Sequence, residues 1–322
     1  FYAGVLGWQR EHEAAVARWA RQPPPLARFV PAAAEPSAPL PGPLAVDALG
    51  LPQPTPDQAR RLLAWHAPVF EIEQRGPYDH FGSPSWAADG RLRVDGTEPV
   101  VFQRISHMRL GGRWRLQLVH TLWFPERPAQ RALDILAGTL DGVVVRQTLD
   151  EQGRVLLVDS IHACGCYHLF FPSAALRPRA GAPRTPEWLF APAPLPALGA
   201  DDRLVVRLST ASHDVLGLQA LPRAQATGLP YRLHDEDALR SLPVAGGAPQ
   251  RRSLYGPDGL VRGSERGERF LFWPMGIASA GAMRQWGHHA TAFVGRRHFD
   301  DADLLERRFE WTDSPPEPPP AP

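Results

Sequence analysis

The 322-residue sequence contains no lysine and no asparagine, and it holds only two cysteines and three methionines. Without lysine, every basic side chain is arginine, so arginine alone does not single out sites of guanidinium-specific recognition. The formal net charge is +1, which excludes a bulk electrostatic attraction to nucleic acid. Two cysteines spaced two apart exclude a disulfide framework. No apolar run reaches the ~20 residues that a spanning helix needs. P-loop, dinucleotide-binding and nucleophile-elbow motifs are absent. The zincin motif fails as well, because His12-Glu13 is followed by Val16 where the second histidine belongs.

What is present is an ordinary globular balance, 43% hydrophobic and 21% charged. It suffices for one large core or two modest ones. Proline is abundant, with 36 residues. The chain opens on Phe1 rather than methionine, which reads as a trimmed start. Residues 1–20 carry Val5, Trp8, His12, Ala15, Val16 and Trp19 near one helical face. Residues 21–56, rich in proline and alanine, read as a tether or strap. Together these features suggest an exported chain, periplasmic or secreted, tethered to a membrane through whatever preceded Phe1.

Thr55-Pro56-Asp57 opens a short helix to about His66, with Thr55 as cap and Pro56 in the first turn. Gly111-Gly112 joins strands 100–110 and 113–124 as a hairpin. Asp150–Gly153 joins 143–149 to 155–161 as a second. Residues 130–136 suggest a helical turn or two. Strands at 204–208 and 270–273, and helices over 279–293 and 301–309, complete the pattern. The fold expectation is therefore a single α+β domain over 57–311. Its core would be mainly antiparallel sheet built on hairpins 100–124 and 143–161, with peripheral helices and long Pro-rich loops. Residues 312–322 read as a disordered tail.

The chemistry concentrates in His162-Ala163-Cys164-Gly165-Cys166-Tyr167-His168. On a strand, positions 162, 164, 166 and 168 share one face. Imidazole and thiolate suit a transition metal, zinc first and then copper or iron. A straight strand would spread the four over ~20 Å, so only neighbouring pairs chelate unless Gly165 bends the chain. A further ligand must come from elsewhere. Pairing about Gly111-Gly112 sets His107 opposite Leu116 and His120 opposite Gln103, on the buried face and ~13 Å apart. Only one of the two histidines can join, and His120 is the deeper. Pairing about the second turn sets Asp141 opposite His162, where a carboxylate would fix the imidazole.

The expected metal set is His162, Cys164, Cys166, His168 and His120. Glu126, His168 and Asp141 are the acid, base and orienting candidates. Arg284, His288 and His289 are secondary, and Tyr78-Asp79-His80 is a loop where function often lies. The leading reading is a metal-dependent enzyme, hydrolase or oxidoreductase, acting on a small molecule. Two alternatives stand beside it: a metal-free cysteine catalyst or redox protein, and a non-catalytic exported binding protein.

Overall fold

The computed structural model describes residues 2–32, 42, 44–181, 189–245, 250–288 and 300–312. Ten strands form one sheet: β1 Leu26–Pro31, β2 Val69–Glu73, β3 Val100–Leu110, β4 Arg113–Arg127, β5 Gly138–Leu149, β6 Val155–His162, β7 Leu169–Pro172, β8 Asp202–Leu208, β9 Val215–Pro222 and β10 Leu229–Asp235. Their spatial order is β9-β8-β2-β1-β10-β3-β4-β5-β6-β7. From β3 to β7 the neighbours are antiparallel hairpins. Parallel pairings join β2 to β8, β1 to β10, and β10 to β3.

The sheet is thus mixed, and it curls into a nearly barrel-shaped wall with few helices. This overturns the expected antiparallel hairpin sheet with peripheral helices. Hairpins announce themselves through a local turn, whereas parallel partners meet over long chain separations that leave no local signature. The clearest casualty is the tether reading. Its residues 26–31 form β1, inserted between β2 and β10 near the middle of the sheet.

The curl brings the two edge strands close. Leu204, Val206 and Val215 from one edge pack in the same core cluster as Val158, Leu169 and Phe171 from the other. The segment after residue 188 seals the seam, with Phe170 N donating to Phe190 O at 2.9 Å and Leu195 N to Pro172 O at 2.8 Å. Helix α1, Tyr2–Arg21, lies across it and buries His12 and Trp19. Helix α2, Pro56–Trp65, starts as expected. Thr55 Oγ1 accepts from Gln58 N at 3.2 Å, and Gln58 Oε1 accepts from Thr55 N at 2.8 Å.

Other local expectations fail where side-chain period misleads. The apolar run Arg269–Phe272 is a short helix, α3, not a strand. Residues 279–288 are turns, broken by positive φ at Gly281 and Gly287, rather than helix. The rest of that expected helix, His289 included, lies outside the described residues. Residues 130–136 also turn without forming a helix. A last helix, α4, runs Leu304–Arg308 within the expected span. The tail reading lies outside the described residues beyond Thr312. No helix among the described residues is long and apolar enough to cross a membrane.

Candidate functional site

One end of the sheet gathers the end of β4, the start of β5, the end of β6 and the loop between β8 and β9. At the centre lies Asp141, 1% exposed. Its Oδ1 accepts from His162 Nδ1 at 3.3 Å and from Gly142 N at 3.1 Å, and its Oδ2 accepts from His213 Nδ1 at 2.8 Å. The carboxyl is held well below its ordinary value. Burial alone would raise it, and the two imidazoles outweigh that penalty.

The expected opposition of Asp141 and His162 is displaced. Val143 is the residue across from His162, because the turn closes Asp150 on Arg154 rather than Gly153 and a bulge at Thr148/Leu149 adds one more residue, a shift of two in all. A shift of two preserves the face, so the contact survives on a diagonal.

His213 is fully buried and stacks on Phe124 at 3.8 Å. Its Nε2 donates to Tyr78 O at 3.2 Å and lies 3.5 Å from Asp79 Oδ1. Burial would lower its pKa, but the bonds to Asp141 and Asp79 raise it above the ordinary imidazole value. Asp79 is itself fixed by Arg75 N and Ala211 N at 2.8 and 2.7 Å and by Thr210 Oγ1 at 2.7 Å. His162 Nε2 is buried without a hydrogen bond and faces Asp214 Oδ1 at 3.7 Å. Trp8 of α1 donates to that same carboxylate oxygen at 3.2 Å. Arg127 adds a cation 5.3 Å from the Tyr167 ring centroid. Burial would lower the Arg127 pKa, but Tyr167, Asp214 and Asp141 together raise it further.

Backbone strain collects here too. Among the described residues, five non-glycine residues have positive φ: Leu140, Tyr167, Ala211, His213 and Ser279. Leu140 precedes Asp141, and Ala211 and His213 share the β8–β9 loop. Tyr167 packs its ring 5.0 Å from that of His162. Ser279 holds Arg284, whose own N–H donates to Ala163 O at 3.0 Å. Each such residue costs about 1–3 kcal/mol, and such strain tends to gather at functional sites.

The Cys/His run is a turn, not a strand. Strand β6 ends at His162, Gly165 N donates to His162 O at 2.7 Å, and Gly165 takes φ 89°. The chain then returns with Ser160 opposite Leu169. That register places His162 across from Tyr167 and His168 across from Ile161. The two histidines therefore leave on opposite faces, contrary to the shared face that uninterrupted alternation would give. His168 Nε2 bonds Asp159 Oδ2 at 2.8 Å, beside Arg146, and burial drives its pKa down to about 3.

Cys164 is buried and Cys166 half-buried. Their mutual interaction, helped by the His162 imidazole, lowers Cys164 against the opposing effect of burial, while the same interaction raises Cys166.

The remaining candidates scatter. His120 pairs with Gln103 and His107 with Leu116, as the hairpin register requires. His120 shares the face of His162 but stands two strands and one step away, roughly 12 Å. It sits near Leu63, and burial lowers it to about 4. Glu126 is exposed at the end of β4. Arg284 is buried beside the cysteine turn, while His288 is exposed. Among the described residues no three His, Cys, Asp or Glu side chains are grouped to hold a metal ion. Sequence reasoning missed His213 and Asp214. Their one local signal is the polar run Ser209–Asp214 directly after an apolar strand.

No protein-family model and no curated protein matches this chain. One solved structure, "NLPPya in complex with mannosamine", is similar at 14% identity. The likeness covers 60% of this chain and 80% of that one, with a TM-score of 0.32. At that score the likeness carries no argument about fold or function.

What the seam offers chemically is a buried row in which carboxylates and imidazoles alternate, Asp79, His213, Asp141 and His162, ending on an imidazole nitrogen with no hydrogen bond. Beside it lies an unequal pair of thiols.

Proposed function

We propose that the turn at residues 162–167 is a metal-free thiol reaction centre that exchanges electrons with disulfides. The observation that carries this reading is the Cys164–Cys166 pair of free thiols, held in a tight turn beside a histidine anchored by Asp141. The thiolate is the reactive form of cysteine. Cys164, whose thiolate is favoured, attacks one sulfur of a substrate disulfide and expels the other as a thiol. Cys166 then gives up its proton and attacks Cys164, forming the intramolecular disulfide and releasing the second substrate thiol. Two electrons pass to the substrate, and no other oxidant is needed. Residues spaced two apart bridge more readily where the chain turns, because an extended strand holds their Cα atoms about 6.6 Å apart, near the ~7 Å upper limit.

The test is incubation of reduced protein with oxidised glutathione, followed by intact-mass analysis. The wild type should lose two hydrogens with no adduct. Cys166→Ser should trap a glutathione adduct on Cys164. Thiols that react no faster than in the urea-unfolded chain would defeat the reading. A metal enzyme, zinc first, is the competing proposal that the same Cys/His composition suggests. Metal content of the purified wild type against Cys164→Ser/Cys166→Ser decides between them. One equivalent bound by the wild type and lost in the variant replaces the thiol reading with the metal one.

A further inference from the structure

The end of the sheet opposite the seam holds a cavity of about 640 Å³. It lies between the β3–β4 turn, the β5–β6 turn and the loop 44–53. Its floor is apolar: Leu62, Leu116 and Leu149 are buried in one cluster, with Leu44 packed against it. This site is independent of the thiol reading.

The loop that forms one wall is held from within. Asp47 Oδ1 accepts from Leu49 N at 2.8 Å and from Leu51 N at 2.9 Å, and Asp47 Oδ2 accepts from Gln53 Nε2 at 3.2 Å. His107 Nε2 bonds Pro52 O at 2.8 Å and ties the loop to β3. A loop so pinned still presents Val46 and Leu49 outward, 62% and 76% exposed. Large apolar side chains held open above an apolar floor mark a surface that a ligand completes.

Charge selects the kind of ligand. Three arginines, Arg109, Arg113 and Arg115, and two carboxylates, Asp150 and Glu151, line the cavity. Glu151 takes both Arg113 and Arg115, at 2.5 and 3.3 Å, and Asp150 takes Arg154 at 2.7 Å. Arg109 has no ion pair among the described residues, and its guanidinium lies 5.8 Å from the Trp114 ring centroid. The cavity therefore has an apolar floor, an aromatic wall and one cation without a counter-charge.

We propose that this cavity binds an amphipathic carboxylate, its apolar body on Leu62, Leu116 and Leu149 and its carboxylate on Arg109. Charge-assisted contacts of guanidinium with carboxylate are strong and directional. The size falls within the ordinary range for small-molecule sites, about 300–1,000 Å³.

The probes are octanoate and octan-1-ol, which share a tail and differ in the head, titrated by calorimetry into the full chain. One octanoate should bind per chain, about tenfold tighter than octan-1-ol, the difference expected of one charge-assisted bond. Arg109→Glu should remove that preference and leave octan-1-ol binding unchanged. Leu49→Glu, a change at an exposed position, should weaken octanoate by a similar factor without touching the fold. Circular dichroism of both variants must match the wild type. Equal binding of the two probes, no saturable binding of either, or octanoate binding indifferent to both substitutions overturns the proposal.

Discussion

The two ends of the sheet are built from the same strands and solve opposite problems. At the pocket end, the hairpin turns place glycine where φ is positive, at Gly111, Gly112 and Gly153. The floor there is leucine, and the ion pairs lie at the rim. At the seam end, leucine, tyrosine, alanine and histidine occupy positive φ, and carboxylates and imidazoles are buried together. The contrast extends to single histidines. His66 lines the pocket, and burial with nearby Arg223 pushes its pKa down to about 3. His213 is more deeply enclosed, yet its carboxylate partners lift it above the ordinary value. Burial thus sets no fixed direction for a titrating group; the neighbours buried with it do.

Removing Asp141 should give the largest difference between the ends. Asp141→Ala strands two buried imidazoles and should cost about 3–5 kcal/mol, the range for breaking a buried pair. Glu151→Ala at the half-exposed rim should cost less than about 1 kcal/mol. Urea denaturation of both variants measures this, and equal costs would erase the distinction.

The pH dependence should separate the ends next. The folded pKa of His213 is raised, so the stability it contributes is complete below about 6.5 and is lost as pH rises through the folded value. His66 and His120, held at about 3 and 4, act in the opposite sense. Their contribution is present above about 6.5 and is lost as pH falls toward those values. Ring NMR should show His213 titrating above the ordinary imidazole value while His66 and His120 stay neutral well into the acid range. His213→Gln should abolish the loss of stability on the alkaline side only.

The smallest effect concerns backbone strain. Gly153→Ala, in open space but at φ 77°, should cost about 1 kcal/mol. Ala211→Gly, at φ 62°, relieves strain as it adds chain entropy, and should change stability by less than about 0.5 kcal/mol. A large loss on Ala211→Gly would show that the seam stores no strain at this position.

How much of this was legible depends on chain distance. The Gly111-Gly112 turn dictated its register, and Gln103 does face His120. The second hairpin slipped by two residues, because nothing in Asp150–Gly153 announces that the turn closes on Arg154 or that a bulge follows at Thr148/Leu149. The His162–His168 run misled, because period-two alternation holds only while the strand continues, and β6 stops at His162. His213 and Asp79 come from loops more than sixty residues from Asp141 on either side, so no local pattern links them to it. Glu126 and Arg127 stand at a strand end, where one side chain turns outward and the other inward; composition alone favoured the carboxylate.

The sequence by itself determined the capped helix at Thr55 and the central hairpins, since each rests on neighbours within a few residues. The parallel pairings, the curl that closes the seam and the Asp79–His213–Asp141–His162 row were decided only by tertiary structure. Parallel strands and the buried carboxylate–imidazole row depend on partners far apart in the chain, and their free energy appears only once the sheet has brought them together.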